Sequence, residues 1–135
     1  MSSHTRKQSD PRASNEVALP RTLQGTWLLR DVVEVDATGN VTAEPYGTRP
    51  SGRLIYTSDG TMAVVIREHG SSPAVAYTGE AVRGEGDLLR HVVHVGLPPY
   101  TEDQVRHLRL VDATNLVLAT DTAGNPRVEL RWERG

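Results

Sequence analysis

The chain contains no cysteine and no phenylalanine, and only two tryptophans and four tyrosines among its 135 residues. Without cysteine it has neither disulfides nor thiolate chemistry, which fits a reducing, cytoplasmic compartment. Few aromatic residues and a net charge of −2 indicate neither a base-stacking platform nor a strongly basic surface, so we expect no nucleic-acid partner. No apolar run approaches the roughly 20 residues that cross a membrane, so we expect no membrane partner either.

The chain also lacks the patterns of several enzyme classes. It has no "GxSxG" motif for a Ser–His–Asp hydrolase, and no glycine-rich loop leads into a helix to bind a nucleotide. His91 and His94 are three residues apart, so an unbroken strand places His91 inside and His94 outside, and the pair cannot bind one metal ion. We therefore expect no metal and no cofactor.

Residues 1–20 are polar, aperiodic and rich in Ser, Arg and Pro, which is typical of a flexible tail. They contain no apolar segment of a secretory signal. Over residues 21–135, β-branched runs alternate with turn residues, and this spacing predicts one domain of short antiparallel strands. Strands are expected near 25–36, 51–58, 61–67, 75–84, 87–95, 103–111, 114–121 and 126–133.

The turn residues between these runs favour an antiparallel meander. They include "DATGN" at 36–40, "GEGD" at 84–87, "DATN" at 112–115 and "TAGNP" at 122–126. Each connection is too short for a parallel return, which needs a dozen residues or more. Eight such strands can close into an up-and-down barrel, which leaves no sheet edge. We predict an all-β, eight-stranded antiparallel barrel, wide enough for one small ligand.

Alternation along each strand divides its side chains between two faces, and we take the more apolar face as the inner one. The interior is then mostly aliphatic, with Trp27 and Trp132 packing at the bottom of the barrel. The candidate ligand-binding residues are Trp27, Leu29, Leu54, Met62, Val64, Tyr77, Val93, Gln104, Leu108, Leu118 and Trp132. A β-bulge in any strand would reverse the assignments beyond it.

Four inward polar residues are the catalytic candidates: Asp31, Tyr56, His91 and Arg106. Asp31 and Arg106 are predicted either to bind a carbonyl or acid of the substrate, or to form an ion pair that closes the barrel. His91 is either a general acid or base, because its intrinsic pKa lies near neutrality, or a core histidine bonded to a neighbouring strand. Tyr56 either presents its hydroxyl to a ligand or serves as an amphipathic wall residue.

Several motifs occur in the order and spacing of a known family: "GTW" at 25–27, "PYG" at 45–47, "GRLIYTSDGTM" at 52–62, "YTGE" at 77–80, "DQVRHLRL" at 103–110 and "LRWER" at 130–134. Across roughly residues 23–134 the chain resembles the bacterial lipocalin-like domain. The resemblance implies a compact antiparallel barrel around a central cavity, in agreement with the strand count. The chain departs from that family at "EHGSSPAVA" (68–76), which is short, so the tail is a candidate lid over the barrel mouth.

The resemblance implies no single activity, because related small barrels include both ligand binders and cyclases of natural-product pathways. We expect a cofactor-free cyclase or isomerase of the pericyclase kind, which holds a polyketide- or polyene-like substrate near its reactive geometry. The alternative is a non-catalytic carrier or sensor of a hydrophobic small molecule. An outward apolar strip suits a homodimer in either case. Its members are Leu28, Val32, Ile55 and Val65.

Overall fold

The computed structural model describes residues 19–68, 72–120 and 127–135. These residues form a short 3₁₀ turn (Arg21–Leu23) and nine strands. The strands are β1 (Gly25–Val35), β2 (Val41–Ala43), β3 (Ser51–Tyr56), β4 (Thr61–Arg67), β5 (Pro73–Arg83), β6 (Leu88–Gly96), β7 (Gln104–Val111), β8 (Asn115–Thr120) and β9 (Arg127–Arg134). No helix within the described ranges is long and apolar enough to span a membrane.

Eight of the nine strands close into an antiparallel barrel. The order of hydrogen-bonded neighbours runs β1, β3, β4, β5, β6, β7, β8, β9, and β9 pairs back to β1. The three-residue strand β2 pairs with the end of β1, outside this ring. The predicted eight-stranded antiparallel barrel is therefore confirmed, and each predicted strand has its counterpart. The sequence does not predict β2.

Residues 1–18 of the predicted tail (1–20), and with them its role as a lid, lie outside the described residues, as do His4, His69 and the turn "TAGNP". The prediction of a flexible tail is wrong at its end, because Leu19 is buried in the core cluster.

Side-chain hydrogen bonds explain why two of the predicted turns form where they do. In "DATGN", Asp36 Oδ1 accepts hydrogen bonds from the backbone N–H of Thr38 at 2.9 Å and of Asn40 at 3.0 Å. Gly39 supplies the positive φ of +90° that the turn requires. Asp112 repeats the arrangement between β7 and β8, accepting from the backbone of Thr114 at 2.8 Å. Both turns therefore follow from the preference of aspartate for bonding the backbone just ahead of it.

A β-bulge in β1 changes which of its residues face the interior. Its register with β9 shifts between Leu29 and Asp31, so the face of the following side chains is reversed. Val32, predicted to lie outside, is instead fully buried in the main core cluster. Val33 and Val35, which strict alternation from Trp27 would place inside, are buried but not part of that cluster.

The predicted outward strip is therefore wrong at Val32. Its other three residues lie at or near the surface. Ile55 and Val65 are 36% and 47% exposed on the outer face of β3 and β4. Leu28 is partly buried. A homodimer through this surface remains a prediction.

The 3₁₀ turn packs where the barrel begins. Leu23 is fully buried in the core cluster, and its carbonyl accepts a hydrogen bond from Trp27 Nε1 at 2.9 Å. The guanidinium of Arg134, at the end of β9, lies 3.9 Å from the centre of the Trp27 ring and donates to the carbonyl of Thr22 at 2.8 Å. Trp27 is therefore a packing residue at this end of the barrel, as predicted.

Candidate functional site

A cavity of about 370 Å³ lies inside the barrel. This volume falls in the range of roughly 300–1,000 Å³ that is typical of small-molecule pockets. Its apolar wall comes from strands on most sides of the barrel. The aliphatic residues of this wall are Leu54, Val64, Ile66, Val75, Val105, Leu118, Val128 and Leu130. The aromatic and polar residues are Tyr46, Tyr77, His91, Tyr100, Gln104, Arg106, Thr120 and Trp132.

The structure brings about half of the predicted ligand-binding residues to this cavity. Those that line it are Leu54, Val64, Tyr77, Gln104, Leu118 and Trp132. Trp27 and Met62 are fully buried in the core without reaching the cavity wall. Leu29, Val93 and Leu108 are partly buried and pack against the core instead. Each of these three lies beside a register shift between neighbouring strands, where strict alternation no longer holds.

Arg106 is the one arginine among the described residues of the cavity wall, and its charge has no carboxylate partner within the described chain. Its Nη1 donates to the carbonyl of Val105 at 2.9 Å, and its Nη2 approaches Gln104 Oε1 at 3.5 Å. A half-buried guanidinium with no counter-ion among the described residues gives the cavity a positive field. That field contributes to the lowered pKa of His91 and opposes the rise in the pKa of Tyr77.

The predicted pairing of Asp31 with Arg106 is wrong. The β1 bulge places Asp31 opposite Arg131 on β9, and its Oδ1 lies 3.7 Å from Arg131 Nε. Arg131 also donates to Glu129 at 3.1 Å, so Asp31 joins a half-exposed charge cluster on the seam between β1 and β9. Asp31 does not line the cavity.

His91 lies between two tyrosine hydroxyls in the interior. The side chain is 2% exposed, Nε2 is 2.7 Å from Tyr56 Oη, and Nδ1 is 2.6 Å from Tyr77 Oη. Burial, with a smaller contribution from Arg106, lowers the pKa of His91 to about 3. The ring is therefore neutral at physiological pH, with one nitrogen donating and the other accepting. This geometry matches the core-histidine alternative, and it gives no support to proton transfer by His91 at neutral pH.

The two tyrosines bonded to His91 differ in their access to the cavity. Tyr77 lines it, whereas Tyr56 is 1% exposed and lies behind the wall. Burial raises the pKa of Tyr77 to about 12 and that of Tyr56 well above its usual range. Both hydroxyls thus keep their hydrogens, and Tyr77 is the one that can offer its hydrogen to a ligand.

Two further tyrosines come from loops, and strand alternation could not find them. Tyr46 follows β2, and Tyr100 follows β6. The Tyr100 ring stacks on that of Tyr77 with 6.1 Å between centroids, and its Oη lies 3.4 Å from Tyr46 Oη. The nearest sequence signal is an aromatic residue directly after proline, as in "PYG" and "PPY".

The other two histidines that the structure describes, His94 and His107, do not line the cavity. His94 is exposed on the outside, as predicted, and its Nε2 lies 3.7 Å from Glu80 Oε2. In the described part of the chain, no three side chains of His, Cys, Asp or Glu come together as a metal site would require.

Comparisons with known proteins agree with this geometry. A family profile of the lipocalin-like domain matches residues 24–87. A crystal structure of a lipocalin-like protein from Bacteroides uniformis is similar to this chain with a TM-score of 0.54 and 13% identity, covering 84% of this chain and 99% of that one. At this identity the likeness shows the fold alone, and no curated protein matches the chain. The motifs, the family match over residues 24–87 and the closed barrel all agree that the chain is similar to the bacterial lipocalin-like domain, a fold suited to holding a small hydrophobic molecule.

Proposed function

We propose that the barrel binds a small, mostly apolar molecule whose polar end lies at Arg106. The observation that carries the proposal is the guanidinium in the cavity wall with no carboxylate partner in the described chain. A half-buried charge without a counter-ion is costly, and a ligand oxygen at this position would compensate it. The aliphatic wall would hold the rest of the molecule, since burial of apolar surface is favourable in proportion to its area.

The test is a binding titration with a simple amphiphile. Trp132 lines the cavity, so tryptophan fluorescence should report the entry of n-decanoate. We expect Arg106→Leu to weaken binding about tenfold or more, because it removes a charged hydrogen-bond donor. Arg109→Leu is the matched control, since Arg109 lies exposed on the same strand. Equal affinities of Arg106→Leu and the natural protein would refute the proposal.

A cofactor-free cyclase or isomerase acting on a polyketide- or polyene-like substrate is the second candidate. It is favoured by hydrogen-bond donors at Arg106 and Tyr77 beside an apolar chamber whose described lining residues include no cysteine or serine. Such donors stabilise negative charge that develops on a carbonyl oxygen. The chamber would hold a flexible chain near its reactive geometry. The neutral ring of His91 fits catalysis by positioning and electrostatics rather than by acid–base chemistry.

Metabolite analysis separates the two candidates. Extracts of the source organism and of a strain lacking this gene would be compared by chromatography and mass spectrometry. Loss of one compound with accumulation of an isomer of the same mass, converted by the purified protein, would support catalysis. An unchanged set of compounds, altered in amount or export alone, would contradict catalysis and favour a carrier.

A further inference from the structure

Tyr56, His91 and Tyr77 form a chain of two hydrogen bonds that begins in the core and ends at the cavity wall. Tyr56 contributes from β3, His91 from β6 and Tyr77 from β5. A neutral imidazole donates from one nitrogen and accepts at the other, so the chain has two possible directions. The direction decides whether the Tyr77 hydroxyl hydrogen points to His91 or is left for the cavity.

The burial of Tyr56 selects one direction. Its hydroxyl has His91 Nε2 as its one partner among the described residues. If Nε2 carried the hydrogen, the Tyr56 O–H would be a buried donor without an acceptor, which is costly. If Nδ1 carries it, Tyr56 donates to Nε2 and Nδ1 donates to Tyr77 Oη, so the deeply buried Tyr56 hydroxyl and both ring nitrogens of His91 are satisfied. The Tyr77 O–H then has no acceptor within this hydrogen-bond chain and is left for the cavity.

We propose that Tyr56 and His91 are positioning residues that direct the Tyr77 hydroxyl hydrogen into the cavity, where Tyr77 and Arg106 bind an anionic oxygen headgroup of an apolar ligand. Carboxylates and enolates share this chemistry. The inference rests on the proposed binding function and adds the class of headgroup. It also assigns a role to Tyr56, a residue that does not touch the cavity.

The other polar groups at the cavity favour the same headgroup. The Arg106 guanidinium has hydrogen-bond donors and no acceptor, and its positive charge disfavours a ligand with an ammonium headgroup. Trp132 belongs to the cavity wall, and its indole Nε1 is buried with no acceptor among the described residues. Tyr46 and Tyr100 have two hydroxyl hydrogens and one shared hydrogen bond, so one hydrogen is left over. Donors thus predominate, and an oxygen anion can accept from several of them at once.

Paired ligands test the headgroup. At neutral pH, n-decanoate and n-decanol present the same alkyl chain with an anionic or a neutral oxygen, and we expect decanoate to bind about tenfold more tightly. Tyr77→Phe should weaken decanoate binding by about tenfold and decanol binding less. Binding of neither ligand would refute the proposed function itself. Equal binding of both would refute the headgroup inference alone.

The variant Tyr56→Phe tests the positioning role. Without the Tyr56 O–H, the hydrogen on the His91 ring is free to move to Nε2 and the Tyr77 hydrogen to turn towards Nδ1. We expect the preference for decanoate over decanol to fall several-fold while decanol affinity stays nearly unchanged. Met62→Leu is the matched control, because Met62 is buried opposite Tyr56 on β4 and bonds neither His91 nor the ligand. An unchanged preference in Tyr56→Phe would refute the role.

Nuclear magnetic resonance of the unsubstituted protein tests the direction of the chain independently of how the variants fold. With ¹⁵N-labelled histidine, the His91 ring can be identified by its contacts to Tyr56 and Tyr77. We expect a pyrrole-type Nδ1, which carries hydrogen, and a pyridine-type Nε2, which does not. The reverse pattern would overturn the inference.

Discussion

At the scale of single residues, the site depends on how each polar group in the interior is compensated. His91 is neutral and satisfied by two tyrosine hydroxyls, whereas Arg106 is charged and has no carboxylate partner in the described chain. The first arrangement costs little to bury, and the second keeps binding energy available for a ligand. This contrast is the reason we propose Arg106 as the residue that contacts a ligand and His91 as a supporting one.

His91 should make the protein less stable in mild acid. The unfolded chain takes up a proton on this histidine near the ordinary histidine pKa of 6.5, but in the folded state its pKa is about 3. Above pH 6.5 the histidine is neutral in both states and the protein keeps its full stability. As the pH falls from 6.5 towards 3, the unfolded chain binds a proton that the folded protein does not, and the free energy of unfolding falls. The whole shift corresponds to about 5 kcal/mol of unfolding free energy. Urea denaturation at a series of pH values measures it.

The control for this pH dependence is His91→Gln, which cannot titrate. The carboxylates with lowered pKa values, Asp36, Asp59, Asp87 and Asp112, also destabilise the fold when they are protonated, but below their usual range near 3.8. The slope between pH 6.5 and about 4 should thus be clearly shallower in His91→Gln. An equal slope in both proteins would contradict a neutral buried His91.

At the scale of elements, a close backbone approach between Gly96 and Tyr100 places the Tyr100 loop on the cavity. Gly96 ends β6, and a Cβ at this position would lie 1.8 Å from the carbonyl oxygen of Tyr100 and 3.1 Å from Tyr77 Cβ. No side chain larger than hydrogen fits there unless the loop moves. Glycine at the end of β6 is therefore what lets the Tyr100 ring stack on Tyr77.

Gly96→Ala should displace Tyr100 and destabilise the fold by about 1–3 kcal/mol, because it overpacks a filled site. Denaturation and decanoate titration measure the two effects, and we expect both stability and affinity to fall. Val95→Ala is the control, since Val95 is 71% exposed on the same strand and should change stability by less than about 0.5 kcal/mol. Full stability and affinity in Gly96→Ala would mean that the loop packs without this contact.

The strands were predictable from the sequence, but the residues at the cavity were only partly so. Turns such as "DATGN" have a strong local signature, because aspartate bonds the backbone ahead of it. A bulge has no comparable signature, and the one in β1 reverses the face of Val32 and separates Asp31 from Arg106. Tyr46 and Tyr100 lie in loops, where no alternation applies. The architecture is thus a sum of local signals, whereas the site depends on register between distant strands.

At the scale of the whole molecule, the barrel is stabilised by pairing between its first and last strands. β1 and β9 are in register from Trp27 opposite Arg134 to Val35 opposite Arg127, apart from the bulge. The cavity wall draws on β3 to β9, so its shape depends on this closure rather than on any one hairpin. Contacts between residues far apart in sequence are formed slowly, so we expect closure of this seam late in folding.

The seam has a consequence for the connectivity of the chain. The backbone N–H of Gly135 donates to the carbonyl of Thr26 at 2.9 Å, so the start and the end of the barrel lie side by side. A short linker from Gly135 to the 3₁₀ turn could therefore join them, and new ends could be opened in the exposed turn at residues 37–40. Such a circular permutant would keep all eight strands and the cavity, and it would carry its ends where β1 meets β2.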